Sequence, residues 1–428
     1  MDARTAQALV RFGLGRRGTE PLPTDPASWL LDQLRQPDPT RLDDPPSSTK
    51  GLMALRDDRA ARPPPGESRS AALFKAEAAA QLENAVTTPA PFRERLVWFW
   101  TNHFTISRRQ GACACVAAAF VQEAIRPHVT GRFSDMVLAV MRHPAMLLYL
   151  DNARSFGPDS PLGQRIHRGL NENLARECME LHTVSPLAGY SQADVTSFAK
   201  ILTGWSIELK TDPPGFRYRP LAHEPGAQTV LGRQFPPDEA GGIAALAFLA
   251  DHPATHCFLA TKLVRHFVAD DPPADAVGAI EAVLRATRGD LGAASAALVR
   301  LDAAWQPGVK LRTPMDYLVA SVRSLDVPPD QVPMLGILGG LGQPLWTAPA
   351  PNGWPDRAED WATPEAMLRR IDWANGFAGH IGERDVVEVA DTAMGPLLGP
   401  ETRAAIHRAA SRRDAMTLLL SSPEFQRR

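Results

Sequence analysis

Residues 206–235 are the one stretch of this chain where apolar and polar positions alternate, first in FRYRP and again in QTVLGRQF, with turn residues between. On both sides the apolar spacing has the helical period instead. That contrast sets the expected fold: mainly α and multi-helical, with one small β-hairpin insert near 206–235. The insert divides the chain into a helical part at 1–205, the insert itself at 206–240, and a helical part at 241–428 packed on the first. Both helical parts hold segments too apolar to stand exposed, so one continuous interface between them is expected.

Short amphipathic helices are expected at 4–14 and 26–34. Prolines at 37, 39, 45, 46 and 63–65 make 36–70 a surface loop or partly disordered insert, with a turn of helix at 52–59. Residues 71–86 are alanine-rich and helical. Pro91 then opens PFRERLVWFWTNHF (91–104), at a position where its missing N–H costs little. Trp98, Phe99, Trp100 and Phe104 make this helix aromatic nearly all round, which puts it in the core. Asn102 and His103 then sit in apolar company, and each needs a partner or costs on the order of 1–3 kcal/mol. Either they brace another helix, or they face a second polar island, where His103 becomes a general base or a metal ligand.

That second island is GLNENLARECMELHT (169–183), the densest run of chemically capable groups in the chain. Read as a regular helix, it puts Asn173, Arg176, Glu177 and Glu180 within an arc of about 100°. Leu174, Cys178 and Leu181 form an apolar arc beside it. On a solvated face, the Glu172–Arg176 pair would add a few tenths of a kcal/mol. In a pocket, Arg176 would hold one carboxylate ionised while another serves as base or ligand. Asparagine is a poor helix former away from caps, which favours the pocket, although Asn171 alone can serve as an N-cap.

A long loop at 154–169 leads into this island, and loops of that length often carry function. Ser191 caps the helix that follows, with an acid in its first turn. Between the alternating runs, His223 lies in the turn HEPG, either idle or leaning over a site as a lid. Further helices are expected at 242–250, 253–269, 274–287, 290–303, 312–324, 331–341, 363–380, 383–393 and 401–425. The 253–269 helix carries Lys262 and His266 four apart on one face. The loop GQPLWTAPAPNGWPD (342–356) is too apolar for a free linker and is expected to pack over the helices.

Several classes of function are excluded or left without support. A net charge of −2 gives no support to a nucleic-acid or anionic-membrane partner. No run of about 20 apolar residues offers a membrane span, and no export signal opens the chain, which suggests the cytoplasm. Cysteines at 113, 115, 178 and 257 contain no CxxC pair, which disfavours a disulfide framework and a thiolate zinc site. There is no phosphate loop, dinucleotide fingerprint, HExxH or GxSxG. Glu180 and His182 are two apart rather than three, which disfavours a di-iron bundle. Oxygen and imidazole groups suit a divalent metal such as Zn or Mn, yet no spacing demands one, so the cofactor stays open.

The blocks RFGLG (11–15), ERLVWFWTNHFTIS (94–107), HPAMLLYLDN (143–152), GLNENLARECMELHT (169–183), HEPG…LG (223–232), KLRTP (310–314) and GQPLW…NGWPD (342–356) run collinearly along the chain. Together they resemble the bacterial family catalogued as domain of unknown function 1800, DUF1800. The resemblance implies a bacterial protein without an assigned activity. It also implies a partner encoded beside it that resembles sulfatases or phosphatases, and export of many relatives. Its matching positions here are Asn102, His103, Asn171, Glu172, Asn173, Arg176, Glu177, Glu180, His182 and His223. Ser185 or Pro186 stands where the family has glycine, and Gln228 where it has lysine, which puts an anion-binding role at the HEPG turn in doubt. Two functions follow as expectations. One is a hydrolase- or lyase-type enzyme with His103, Glu177, Glu180 and Arg176 as the catalytic group, and Asn102, Glu172, Asn173, His182 and His223 around the substrate. The alternative is a non-catalytic accessory or assembly protein whose polar cluster braces buried helices.

Overall fold

A computed structural model describes residues 1–18, 20–64 and 66–428. Of these, 62% are helical, in 22 α-helices with only two small sheets. The architecture grows around the Pro91–His103 helix, whose residues are buried from Pro91 to Val97 and again at Phe99, Trp100 and His103. It buries three charges, Arg93, Glu94 and Arg95; Arg93 has Asp38 at 3.9 Å, and the other two are closely matched. Glu94 accepts from Arg126 at 2.7 and 2.9 Å and from Asn84 at 3.0 Å. Arg95 donates to Asp316 at 2.7 Å and to the Gly13 carbonyl at 2.6 Å. Two π-helical turns, Ala8–Phe12 and Val121–Ile125, pack on this helix; a third, Cys178–His182, ends the polar helix Asn173–Glu177.

Buried side chains form two cores. The larger runs from Ala8 to Ala304 and adds Trp346. The smaller joins residues 317–425 to Val10, Leu14, Leu82, Ala85 and Val86. Trp205, Ile207, Val230 and Phe235 of the hairpin region belong to the larger core, so the packing continues across that region.

The alternating stretch forms two antiparallel hairpins where one was expected. Trp205–Glu208 pairs with Gly215–Tyr218, and Gln228–Val230 with Arg233–Phe235. The 3₁₀ turn Pro220–Ala222 separates them. The second closes through Leu231 and Gly232, at φ 49° and 75°, the two left-handed residues of a tight hairpin turn. The expectation at 36–70 is corrected more strongly. Ser48–Ala61 is a 14-residue helix capped by the Ser47 side chain on the Lys50 N–H, and it ends at left-handed Arg62 before Pro63. Gly51 sits so close to Cys115 that a Cβ would lie 1.9 Å from its carbonyl oxygen, which anchors this helix to the core. Pro65 lies outside the described residues. Among the described residues, no single helix is long and apolar enough to cross a membrane.

Candidate functional site

Where the two cores meet there is a cavity of about 360 Å³. Its walls include Trp98, Phe99, Asn102 and His103 of the aromatic helix; Lys262, Arg265 and His266 of the Pro253–Phe267 helix; Asp316; and the loop bearing Trp346, Trp354 and Asp356. The rim reaches solvent at Asn352, Pro355 and Asp360, all exposed. Asn102 fixes the loop. Its amide donates to the Trp354 carbonyl at 2.9 Å and accepts from the Trp354 N–H at 2.8 Å. The approach is so close that a Cβ on Gly353, at φ 83°, would lie 2.4 Å from the Asn102 carbonyl oxygen, so glycine alone fits there.

The cavity floor follows from a chain of hydrogen bonds. His103 Nε2 lies 3.0 Å from the His182 carbonyl oxygen. A carbonyl only accepts, so Nε2 carries the ring proton and Nδ1 is left as an acceptor. Lys262 Nζ donates to that Nδ1 at 3.0 Å. Burial, then the charge of Lys262, pushes His103 well below the usual histidine range. Burial likewise lowers Lys262 to about 8, with Asp356 opposing the shift and Arg265 adding to it. Among the described residues, no carboxylate stands within salt-bridge distance of Lys262; the Phe258 ring centre lies 5.5 Å from Nζ. One turn on, His266 Nδ1 faces the Asp356 carboxylate at 3.1 Å, and burial lowers His266 to about 4. Burial alone would raise Asp356, but His266 and Lys310 outweigh it and hold it ionised. Burial also works against Asp316, where Arg95 at 2.7 Å and Arg428 at 3.3 Å win and hold it well below the usual carboxylate range.

The cavity lining includes Asn102 and His103 but none of Asn171, Glu172, Asn173, Arg176, Glu177, Glu180, His182 or His223. Glu172 instead accepts from Arg176 at 2.9 Å, Gln192 at 2.9 Å and Thr196 at 2.6 Å, tying its helix to Gln192–Ile201 at the surface. Asn173 is exposed, and its N–H is taken by the Asn171 side chain. Glu177 is half-buried, and burial followed by Glu180 raises it. His182 is the one member of this run that meets His103, through its backbone carbonyl. Its own ring is fully buried, with a partner for neither nitrogen among the described residues, and burial lowers it to about 3. His223 is buried against the Thr203 carbonyl at 2.8 Å, while neighbouring Glu224 accepts from Lys200 and the Asp159 N–H.

His103 thus meets the polar island of 169–183 at its far end, through the His182 carbonyl, with Lys262 as its other partner; Glu177 and Glu180 are not among its hydrogen-bond partners. The π-turn explains the difference. Cys178–His182 winds more widely than an α-helix, so its last residue swings inward while Glu180 stays outside. Lys262 and His266 were legible as one helix face. Asp356 and Arg265 carry no local motif in the sequence. The only signal for Asp356 was its place at the end of an apolar loop that had to pack somewhere.

No group of three or more His, Cys, Asp or Glu side chains is arranged to hold a metal ion among the described residues. A family model described as protein of unknown function (DUF1800) matches residues 7–427. No curated protein and no solved structure matches the chain.

Proposed function

The chain belongs to the DUF1800 family, and from that premise we propose that it is an enzyme of lyase type whose reacting group is the Lys262 amine. One observation carries this reading: Lys262 is bonded to a neutral histidine instead of a carboxylate, on the wall of an aromatic-lined cavity. A lysine kept for structure is ordinarily paired with an acid. A lysine kept for chemistry loses its proton near working pH because its surroundings disfavour the charge. At about 8, roughly a tenth of the Lys262 amines are unprotonated at pH 7, against well under a thousandth for an ordinary lysine. His103 then orients the amine, and Asn102 holds the loop that closes the wall. In this reading Glu177, Glu180 and Arg176 carry no chemistry, and Glu172 is a brace.

Competitive labelling with acetic anhydride across pH 6–11 tests it, with exposed Lys75 and Lys210 as internal standards. Lys262 is expected to reach half-maximal reactivity near pH 8. A midpoint at the ordinary lysine value of about 10.4 would defeat the reading. The accessory-protein alternative is favoured by one observation, the surface network around Glu172, which joins two helices and reaches no cavity.

A further inference from the structure

We propose that the cavity takes an oxo acid, with Arg265 holding its carboxylate, Lys262 meeting its carbonyl carbon and the tryptophans covering its apolar body. This rests on the reading of Lys262 as the reacting amine and names the substrate class that reading leaves open. Most charges around the cavity are already matched. Asp316 is matched by Arg95 and Arg428, and Asp356 by His266 and Lys310. Arg357, at the rim, is matched by Asp271. Arg265 is different. Its Nε donates to the Asp270 carbonyl at 3.3 Å, and among the described residues no carboxylate stands within salt-bridge distance of its guanidinium. Lys262 shares that condition.

Arg265 and Lys262 are three residues apart on one helix, both line the cavity, and the charge of Arg265 is felt at Lys262. Side chains at that spacing start about 5–6 Å apart on the same face. A guanidinium fork grips a carboxylate through two parallel N–H bonds. The carbonyl carbon of an oxo acid lies one or two bonds from its carboxylate, so a carboxylate on Arg265 brings that carbon up to the neighbouring amine. Trp98, Trp346 and Trp354 then offer flat apolar walls for whatever extends beyond. Asp360 is the one lining carboxylate outside these pairs; it is exposed at the rim.

The chemistry balances within the site. The Lys262 nitrogen lone pair forms the C–N bond, and the carbonyl π pair moves onto oxygen, which takes a proton. Loss of the remaining amine proton and of that oxygen as water leaves an imine; nothing is oxidised or reduced.

Reductive trapping with cyanoborohydride at pH 7 tests the proposal, using glyoxylate against acetaldehyde as the two probes. Labelling of Lys262 is scored by peptide mass spectrometry relative to Lys75 and Lys210 in the same chain, which cancels the aldehydes' own reactivities. The glyoxylate-to-acetaldehyde ratio at Lys262 is expected to exceed that at the surface lysines by about ten-fold, the weight of one charge-assisted contact. Arg265→Gln should abolish the excess and Arg265→Lys keep part of it, with both variants melting as the parent does. Lys262 trapped equally by the two aldehydes would overturn the oxo-acid proposal while leaving the amine reading intact. No trapping of Lys262 by either aldehyde would overturn both.

Discussion

The run at 172–180 and the cavity floor around Lys262 are built from the same kinds of side chain in opposite surroundings. In the run, Glu172 gathers three donors at the surface and Asn173 points to solvent. Its bonds tie two neighbouring helices. On the floor, His103, Lys262, His266 and Asp356 come from three distant segments and have lost most of their water. Density of polar residues along the sequence marked the first region. Scarcity of water, which shifts protonation states, marks the second. Glu172 joins helices that are neighbours in sequence, while the floor brings together groups from residues 103, 262–266 and 356.

The sharpest way to break this comparison is to remove a matched charge beneath the floor. Asp316→Asn leaves Arg95 and Arg428 buried without their counter-charge and should cost about 3–5 kcal/mol. The sign with pH follows from the lowered folded value. Asp316's contribution is complete above its unfolded value of about 3.9 and is lost as pH falls through the folded one. Urea titration of parent and variant should therefore show a gap at pH 7 that narrows only under strong acid. A gap below 1 kcal/mol at pH 7 would mean the junction of the two cores is not held by these charges.

A second test reads the neutral histidines. His182 is buried with a lowered pKa of about 3, against about 6.5 unfolded, so its share of stability is complete above 6.5 and is lost as pH falls towards 3. The slope is about 1.4 kcal/mol for each pH unit. His182→Leu removes a ring that has no partner, and the variant should lose less stability than the parent between pH 6.5 and 4.5. Parallel acid limbs would show that this ring does not titrate as buried. By contrast, Glu172→Ala, in the surface run, should cost only about 1 kcal/mol, measured as a small fall in Tm.

The difference between these regions also explains what the sequence could tell. Helical periodicity made the Pro91–His103 helix and the Lys262–His266 face readable, because both are local patterns. The helix Ser48–Ala61 was obscured because prolines on both sides look like a loop, while its Ser47 cap and the Gly51 contact with Cys115 act only once the chain is folded. The π-turn at Cys178–His182 broke the regular helical projection and hid which way His182 faces. Asp316 and Asp356 reach Arg95 and His266 across 221 and 90 residues, and no spacing rule covers such distances.

The smallest expected effect is the most telling for the run itself. Glu177→Gln should leave stability equal or higher by up to about 0.5 kcal/mol at pH 7. Burial and the neighbouring Glu180 raise Glu177, so its charged form is the one the fold disfavours. A raised carboxylate subtracts stability once pH passes the unfolded value of about 4.3 and the folded value above it, and subtracts nothing below both. The isosteric amide keeps the shape and removes the charge. Any gain should thus be present at pH 7 and vanish as pH falls towards about 4. No salt bridge is lost, because Arg176 pairs with Glu172 instead. A melting temperature several degrees below the parent at pH 7 would show that Glu177 is held by a partner, and would return the run to the centre of the molecule's chemistry.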